Sequence, residues 1–325
     1  MQRWSRPLVA VALSASVAGC APAIHATQAP PEASSVSLWE EPTDIAARDL
    51  YFGPWGREHA PYPLDTYVFV ERKHSGVNPG MTVRDSQGRA WSVKQAPPDG
   101  SPPEGQIEVT LSRVLSAVGY HQPPVYYMPT FTLKDDWGVH TEPGGRFRLK
   151  GGPVRERGSW SWQQNPFVGT PPYQGLLVIL QIFNASDLKN SNNSLYAPRR
   201  KGALHLRYVV RDLGTALGET GRWGPRRGDP ILFARQRLFR GVEDGFVRFN
   251  YHGLHQEIFD RRITPGDVGW AADLLSALTR EQWMDGFRAG GYSDELAIMF
   301  IAALDARIAE SRTIARGNAS YGGRP

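Results

Sequence analysis

The sequence predicts an α+β protein in two lobes, a strand-rich first part that carries one helix and a second part that turns helical toward the carboxyl terminus. Three observations support this. From Tyr67 to Lys94 the chain reads as short strands separated by glycine-containing turns. The stretch QIEVTLSRVLSAVGY then places Ile107, Leu111, Val114, Leu115 and Val118 at helical spacing, ending on Gly119. Beyond about residue 265, PGDVGWAADLLSAL, TREQWMDGF and SDELAIMFIAALDARIAE follow one another, the last the clearest amphipathic helix of the chain. With 325 residues, 41% hydrophobic and 21% charged, the chain can bury a sizeable core in one large domain or one domain of two lobes.

Taken in order, the first nineteen residues are unlike the rest. Arg3 and Arg6 precede the apolar run PLVAVALSASVAG, which is too short for a comfortable membrane span. The run ends in Val17-Ala18-Gly19-Cys20, which resembles the bacterial lipobox. That resemblance implies cleavage before Cys20 and a lipid on it, hence a membrane partner and a place in the cell envelope. Ala21 carries no aspartate retention signal, which points to the outer membrane, facing the periplasm. A plain signal peptide with an incidental cysteine is the ordinary alternative. Cys20 is the sole cysteine, so the chain has no internal disulfide. Removal of residues 1–19 lowers Lys plus Arg from 37 to 35 against 32 acids, and the formal charge from +5 to +3. So small a surplus argues against nucleic acid as a partner.

Residues 20–38, rich in Ala, Pro and Ser, read as a tether. Residues 39–62 contain Trp39, Tyr51, Phe52 and Trp55 and are expected to wrap against the domain. The strand-rich lobe is placed at 39–130. Its meander comprises TYVFVERK, a glycine turn, MTVRD, a second turn and AWSVKQ; the break PPDGSPPEG, the helix and a further β stretch, PPVYYMPTFTL, follow. The helical lobe is placed at 131–315. It holds an all-round apolar segment from Tyr173 to Phe183, long enough for a buried helix, and ALHLRYVVRDLG, a strand ending at Asp212. Residues 316–325 read as a flexible tail.

Chemistry concentrates after the buried helix. Asp187-Leu188-Lys189-Asn190-Ser191-Asn192 has the spacing D-L-x-x-x-N, and Arg211-Asp212-Leu213-Gly214 closes the strand that follows. Upstream, Lys94 ends a strand in W-S-V-K, and Glu108 lies early in the one helix of the first part. Taken singly, each has an ordinary reading. Asp187 and Asn192 suit a turn, Asp212 a strand-to-loop turn, Lys94 a solvated strand end, and Glu108 a solvated helix face. Together and in this order they resemble the protein-kinase-like superfamily, in its divergent bacterial and secretory-pathway members. From Val68 to about Tyr292 the chain is also similar to a group of bacterial proteins sharing W-x-V-K, G-Y-H-Q-P-P, N-P-F-x-G-T, D-L-K-x-x-N-N, V-x-D-L-G and Q-W-x-D-x-F-R-A-x-G-Y, a likeness that bears on fold and not on activity.

The resemblance implies a two-lobed protein-kinase-like fold and a phosphotransferase using Mg2+ and ATP. Phosphoryl transfer needs positioning and charge neutralisation more than covalent chemistry. On that reading Lys94 holds phosphates and Glu108 aims it. Asp212 and Asn192 supply oxygen ligands to Mg2+. Asp187 takes the proton of the attacking hydroxyl, and Lys189 steadies the transferred group. Gly76 and Gly80 let backbone N–H groups approach phosphate. The chain departs from the family in three places. Ala185-Ser186 stands where His-Arg is expected, no G-x-G-x-x-G appears at 73–81, and no Ala-Pro-Glu follows Asp212. Spacing alone does not separate Asn192 from Asn193.

Other candidates are weaker. His252, His255 and Glu257 suit zinc only if they converge with a further ligand. Arg199, Arg200, Lys201, Arg222, Arg226 and Arg227 bracket Asp212 as a rim for anions, or as a solvated face. Trp160, Trp162, Trp223, Trp270 and Trp283 read as core. Two functions remain from the sequence: an envelope-anchored phosphotransferase acting on a hydroxyl of a protein or small molecule, with nucleotidyl transfer open to the same residues, and a kinase-shaped lipoprotein that binds a ligand or partner without chemistry.

Overall fold

A computed structural model describes residues 33–73, 78–97, 104–152, 154–198, 204–220 and 226–319. Cys20, the leader, Gly76, Arg199, Arg200, Lys201, Arg222, Trp223 and the end of the tail lie outside these residues. The chain is α+β, strand-rich in its first part and helical at its carboxyl end.

The meander forms as its alternation predicts. β2 (Thr66–Arg72), β3 (Gly80–Arg84) and β4 (Ala90–Gln95) pair antiparallel in sequence order. After α1 (Glu104–Ala117), a long hairpin of β5 (Val125–Asp135) and β6 (Gly138–Lys150) returns to the same sheet, with β6 against β4. Parallel pairing of β2 with β5, Thr66 opposite Thr132, closes a five-stranded barrel in the order β2-β3-β4-β6-β5. Alternate residues fill it: Tyr67, Val83, Trp91, Val93, Phe131 and Phe147 are all buried, and their rings meet edge to face or tilted. Trp91 donates its indole N–H to Asp85 at 2.9 Å, so the largest ring in the barrel carries no orphaned donor.

The expected lobe boundary at residue 130 is therefore corrected. It falls inside β5, and the barrel continues to Lys150, because the cations of RFRLK sit at alternate positions while Phe147 and Leu149 face inward. The tether is corrected too. Its last residues form β1 (Ala33–Ser37), which pairs parallel with β9 (Leu204–Val210). β9 continues to β8 (Asn193–Pro198) and β7 (Val154–Gly158), giving a second sheet in the order β1-β9-β8-β7. Residues 39–62 do wrap: Trp39 donates to the Val118 carbonyl at 2.7 Å, and the Gln282 side-chain amide donates to the carbonyls of Ile45 and Arg48.

The second part is organised around α2 (Pro171–Ile182), which is apolar all round and buried from Tyr173 onward. It packs against α4 (Pro265–Ser276) and α6 (Asp294–Ala319), while α5 (Arg280–Ala289) packs on α1. Capping boxes start α4 (Thr264 with Asp267) and α5 (Thr279 with Gln282). A short α3 (Pro230–Arg235) and the hairpin β10 (Phe239–Glu243) with β11 (Phe246–Phe249) complete the fold. Trp160, Trp162 and Trp283 are buried, and Trp270 packs on the core edge to face with Trp39.

The Trp270 ring lies where a side chain at Gly175 would begin, 2.1 Å from an added Cβ. Gly175→Ala is expected to force α2 and α4 apart and cost about 1–3 kcal/mol, read as a lower Tm in thermal melts. His121 sits beneath β1 with Nε2 2.7 Å from Ser37 Oγ and 3.7 Å from Glu40, beside a cavity of about 470 Å3. Burial, reinforced by Arg207 and opposed by Glu40, pushes its pKa from 6.5 down to about 4. The unfolded chain therefore binds a proton that the folded chain refuses. Stability is held above pH 6.5 and lost as pH falls toward 4, by order of 2 kcal/mol for this group. Chemical denaturation at pH 7 and pH 4.5 is expected to show a smaller difference in His121→Gln than in the wild type.

Candidate functional site

The site is built where α1, β4 and the turn after β9 meet. Lys94, near the end of β4, has its ammonium 2.7 Å from Glu104 Oε2, 3.9 Å from Glu108 Oε2 and 3.7 Å from Asp212 Oδ1. The structure thus brings Lys94, Glu108 and Asp212 together. The tight partner of Lys94, however, is Glu104, at the first turn of α1. Glu108 chiefly faces Arg146, whose Nε is 3.1 Å from Oε1. Burial alone would lower the Lys94 pKa; the carboxylates of Glu108, Glu104 and Asp212 reverse that and hold it above its ordinary value. Burial likewise works against the Asp212 carboxylate, but Lys94, Arg146, Arg211 and Arg148 draw its pKa below the ordinary value.

Local backbone explains the placement. Asp212 takes a left-handed conformation (φ 53°), which Asp tolerates better than most residues, and this reverses the chain just beyond β9. Gly214 then passes so close to α1 that a Cβ there would lie 2.5 Å from the Glu104 Cβ. The glycine of this motif is required by contact with the very residue that grips Lys94.

The loop after α2 is braced against the segment after β9 along its length. The Phe183 carbonyl accepts from Leu217 N at 2.9 Å, Asn184 Nδ2 donates to the Gly218 carbonyl at 2.6 Å, Asp187 N donates to Thr215 Oγ1 at 3.2 Å, and Arg211 N donates to the Asn192 carbonyl at 3.2 Å. Beside Ala185 and Ser186, the Tyr251 hydroxyl lies 2.7 Å from the Leu254 carbonyl and 3.0 Å from the Ser186 carbonyl, and Leu254 N donates to the Ser186 carbonyl at 3.1 Å. Within the loop, Lys189 pairs with Asp187 at 3.0 Å.

The two asparagines are separated by structure. Asn193 is fully buried, with Nδ2 donating to the Trp160 carbonyl at 3.2 Å. Asn192, half-buried, donates its Nδ2 to the Asp187 carbonyl at 3.0 Å, which ties it to the loop, while the Oδ1 of buried Asn193 has no hydrogen-bond partner. Asp187 and Lys189 line a cleft of about 1160 Å3 together with Glu104, Thr215 and Arg227. Lys94, Asp212 and Asn192 are not among its lining residues; Lys94 is linked to its wall through Glu104, whose second oxygen pairs with Arg227 at 2.8 Å.

The remaining expectations place as follows. Gly80 opens β3 and is buried; an added Cβ would meet the Val93 carbonyl at 2.9 Å and the Lys73 stem at 3.1 Å, so its glycine makes room for Lys73. His252 lies 3.3 Å from Arg240, whereas His255 and Glu257 share Gln163. Among the described residues no group of three His, Cys, Asp or Glu gathers to hold a metal. Of the basic rim, Arg226 pairs with Glu219 and Arg227 with Glu104.

Against known proteins, no family model matches the sequence, and no curated protein matches it. Among solved structures there is a likeness. The chain is similar to the proinflammatory kinase CtkA of Helicobacter pylori, with 11% identity over 81% of this chain and 100% of that one, at a TM-score of 0.43.

The sequence reading missed Glu104, Arg146 and Arg148. Glu104 is one helical turn before Glu108, on the same face, yet it follows a proline- and glycine-rich break that hides the start of α1. The two arginines were legible as cations alternating with Phe147 and Leu149.

Glu108 and Arg146 are both buried, 4% and 3% exposed. Glu108→Ala is expected to strand the guanidinium and destabilise the fold by about 3–5 kcal/mol, whereas Glu104→Gln, whose amide oxygen can still accept from Lys94 or Arg227, is expected to cost less, about 1.5–3 kcal/mol. Denaturant midpoints of the two variants measure the contrast.

Proposed function

We propose that this chain is a kinase-like phosphotransferase, with the two-lobed kinase-like arrangement as the finer description of its α+β fold. The observation that supports it most is the convergence of Lys94, Glu108 and Asp212 at one point beside a braced loop bearing Asp187 and Asn192. The donor set also fits Mg2+: Asp212 offers a carboxylate and Asn192 an amide oxygen, and this cation ordinarily takes one or two protein oxygens and completes its shell with water and phosphate. Bound there, Mg2+ supplies charge neutralisation to the phosphates.

The chain's own residues carry the rest. Lys94, fixed as an ammonium by its carboxylates, holds phosphate oxygens of a nucleoside triphosphate such as ATP. An acceptor hydroxyl in the cleft passes its proton to the Asp187 carboxylate as its oxygen bonds the terminal phosphorus. The bond from that phosphorus to the bridging oxygen breaks, and the nucleoside diphosphate leaves with the electron pair. Lys189, already paired with Asp187, swings to the transferred group's oxygens. The acceptor is a hydroxyl of a protein or small molecule. Nucleotidyl transfer draws on the same residues. Lipid on Cys20 would hold the enzyme at the cell envelope, with the membrane as partner and the outer membrane's periplasmic face as its place.

One observation favours a second reading, a ligand- or partner-binding module without turnover: the Lys189 ammonium occupies Asp187, the group proposed as base. The two readings separate in one experiment. With Mg-ATP and a panel of hydroxyl acceptors, the phosphotransferase is expected to release ADP, and Asp187→Ala to lose at least about a hundredfold in rate while still binding nucleotide. Asp212→Ala and Lys94→Ala are expected to lose the thermal shift with Mg-ATP as well. Nucleotide binding without turnover in the wild type would leave the module; no nucleotide-dependent shift at all would sink the phosphotransferase.

A further inference from the structure

We infer that the donor side of this site grips the phosphate chain of its ligand and takes no hold of a base, so that inorganic tripolyphosphate and nucleoside triphosphates bind alike. The inference rests on the phosphotransferase reading and narrows its donor to a class defined by the phosphate chain.

The argument begins with the outer face of the barrel beside Lys94. Cross-strand register places Gly80, Lys94 and Arg146 in one row, Thr82, Ser92 and Arg148 in the next, and Arg84, Ala90 and Lys150 in the third. The intervening residues, Trp91, Val93 and Phe147 among them, are inside the barrel. A heterocyclic base is held by aromatic or branched apolar side chains, with a few polar groups to orient it. These three rows offer neither kind of apolar side chain. Across from them, Tyr196 has the Arg211 guanidinium 5.9 Å from its ring centroid, and Arg211 is clamped there by both oxygens of Glu156 at 3.0 Å. That aromatic face already has a cation on it.

What the rows do offer is positive charge in excess of its counter-charge, with Glu108 the carboxylate that Lys94, Arg146, Lys73 and Arg148 share. Lys150 has Glu71, Lys94 has Glu104, and Arg211 has Glu156. Among the described residues Lys73 and Arg148 face no carboxylate in an ion pair; Lys73 donates only to Ser92 Oγ. Arg146 is 3% exposed, and its buried Nε and Nη1 have no hydrogen-bond acceptor, the 3.1 Å contact of Nε with Glu108 being too far off line to make one. Buried donors of that kind are costly unless an acceptor arrives. The crowding is felt electrostatically. Burial first, then Arg146, Arg148 and Lys150, push the Lys73 pKa down to about 8 against the pull of Glu108, and burial with Arg146 and Arg211 holds Arg148 below its ordinary value although Tyr196 and Glu108 oppose it. A chain of phosphate oxygens satisfies the stranded donors and relieves the repulsion together, as guanidinium and phosphate geometry match.

The test uses the full chain, with calorimetric titration and thermal shift against sodium tripolyphosphate, ATP, GTP and adenosine, each with Mg2+. Tripolyphosphate, ATP and GTP are expected to bind within about threefold of one another, adenosine not at all, and Arg148→Gln with Lys73→Gln to weaken all three phosphates by about tenfold or more. These two substitutions remove repelling charges, so the unliganded Tm is expected to hold or rise, which separates lost binding from lost fold. Three results would overturn the inference. ATP binding more than about tenfold tighter than tripolyphosphate, or adenosine competing with ATP, would assign the base a subsite and leave the phosphotransferase intact. An equal shift from sulfate at matched ionic strength would reduce the effect to simple salt. No binding by any of the phosphates would remove both this inference and the reading beneath it.

Discussion

A single ammonium organises this molecule. Lys94 belongs to the barrel, Glu104 and Glu108 to the helix that crosses it, and Asp212 to the turn leaving the second sheet. A cation taken out of water must be compensated or displaced. Here the compensation comes from separate stretches of the chain, so one charge fixes how they sit against each other. Gly214 allows the approach, since any side chain there would displace Glu104 from Lys94. The pairing is thus both an electrostatic condition and a steric one.

The second organising element is the polar seam between the loop after α2 and the segment after β9. Its bonds are mainly to backbone atoms, so they specify position more than they contribute stability. Arg307 of α6 supports it from below, donating to the Ile182 carbonyl at 3.1 Å and to the Phe233 and Gln236 carbonyls at 2.9 Å, with its guanidinium 4.1 Å from the Phe233 ring centroid. A buried cation held by these carbonyls caps the end of α2 where the loop begins. The loop therefore springs from a rigid base.

How much of this was legible depended on range. The meander, α1, α2 and the terminal helices are local patterns, and their periodicity is visible in the residues themselves. That Asn192 precedes β8 and Asp212 follows β9, at the open end of one hairpin, required only their order. What escaped was non-local or disguised. β6 hid because its outward positions are cationic, which masks the apolar alternation of Phe147 and Leu149. β1 hid because its partner β9 lies far along the chain and small residues such as Ala33 and Ser35 announce nothing. β8 ends in Pro198 and begins at Asn193, both depleted in strands. Glu104 was obscured by the break before it. Cys20 and Gly76 fall outside the described residues, and the leader and the glycine turn stand on sequence alone.

The strand β1 has a mechanical meaning. It joins the edge of the second sheet in parallel register with β9, the strand whose carboxyl end leads into Asp212. A pull on the amino-terminal side of the chain runs along β1 and loads its cross-strand bonds in shear, all at once, instead of peeling them one by one. Tension applied ahead of Ala33 is thus passed to the strand that leads into Asp212, and a chain tethered at its amino terminus would register strain in its anchor close to that turn.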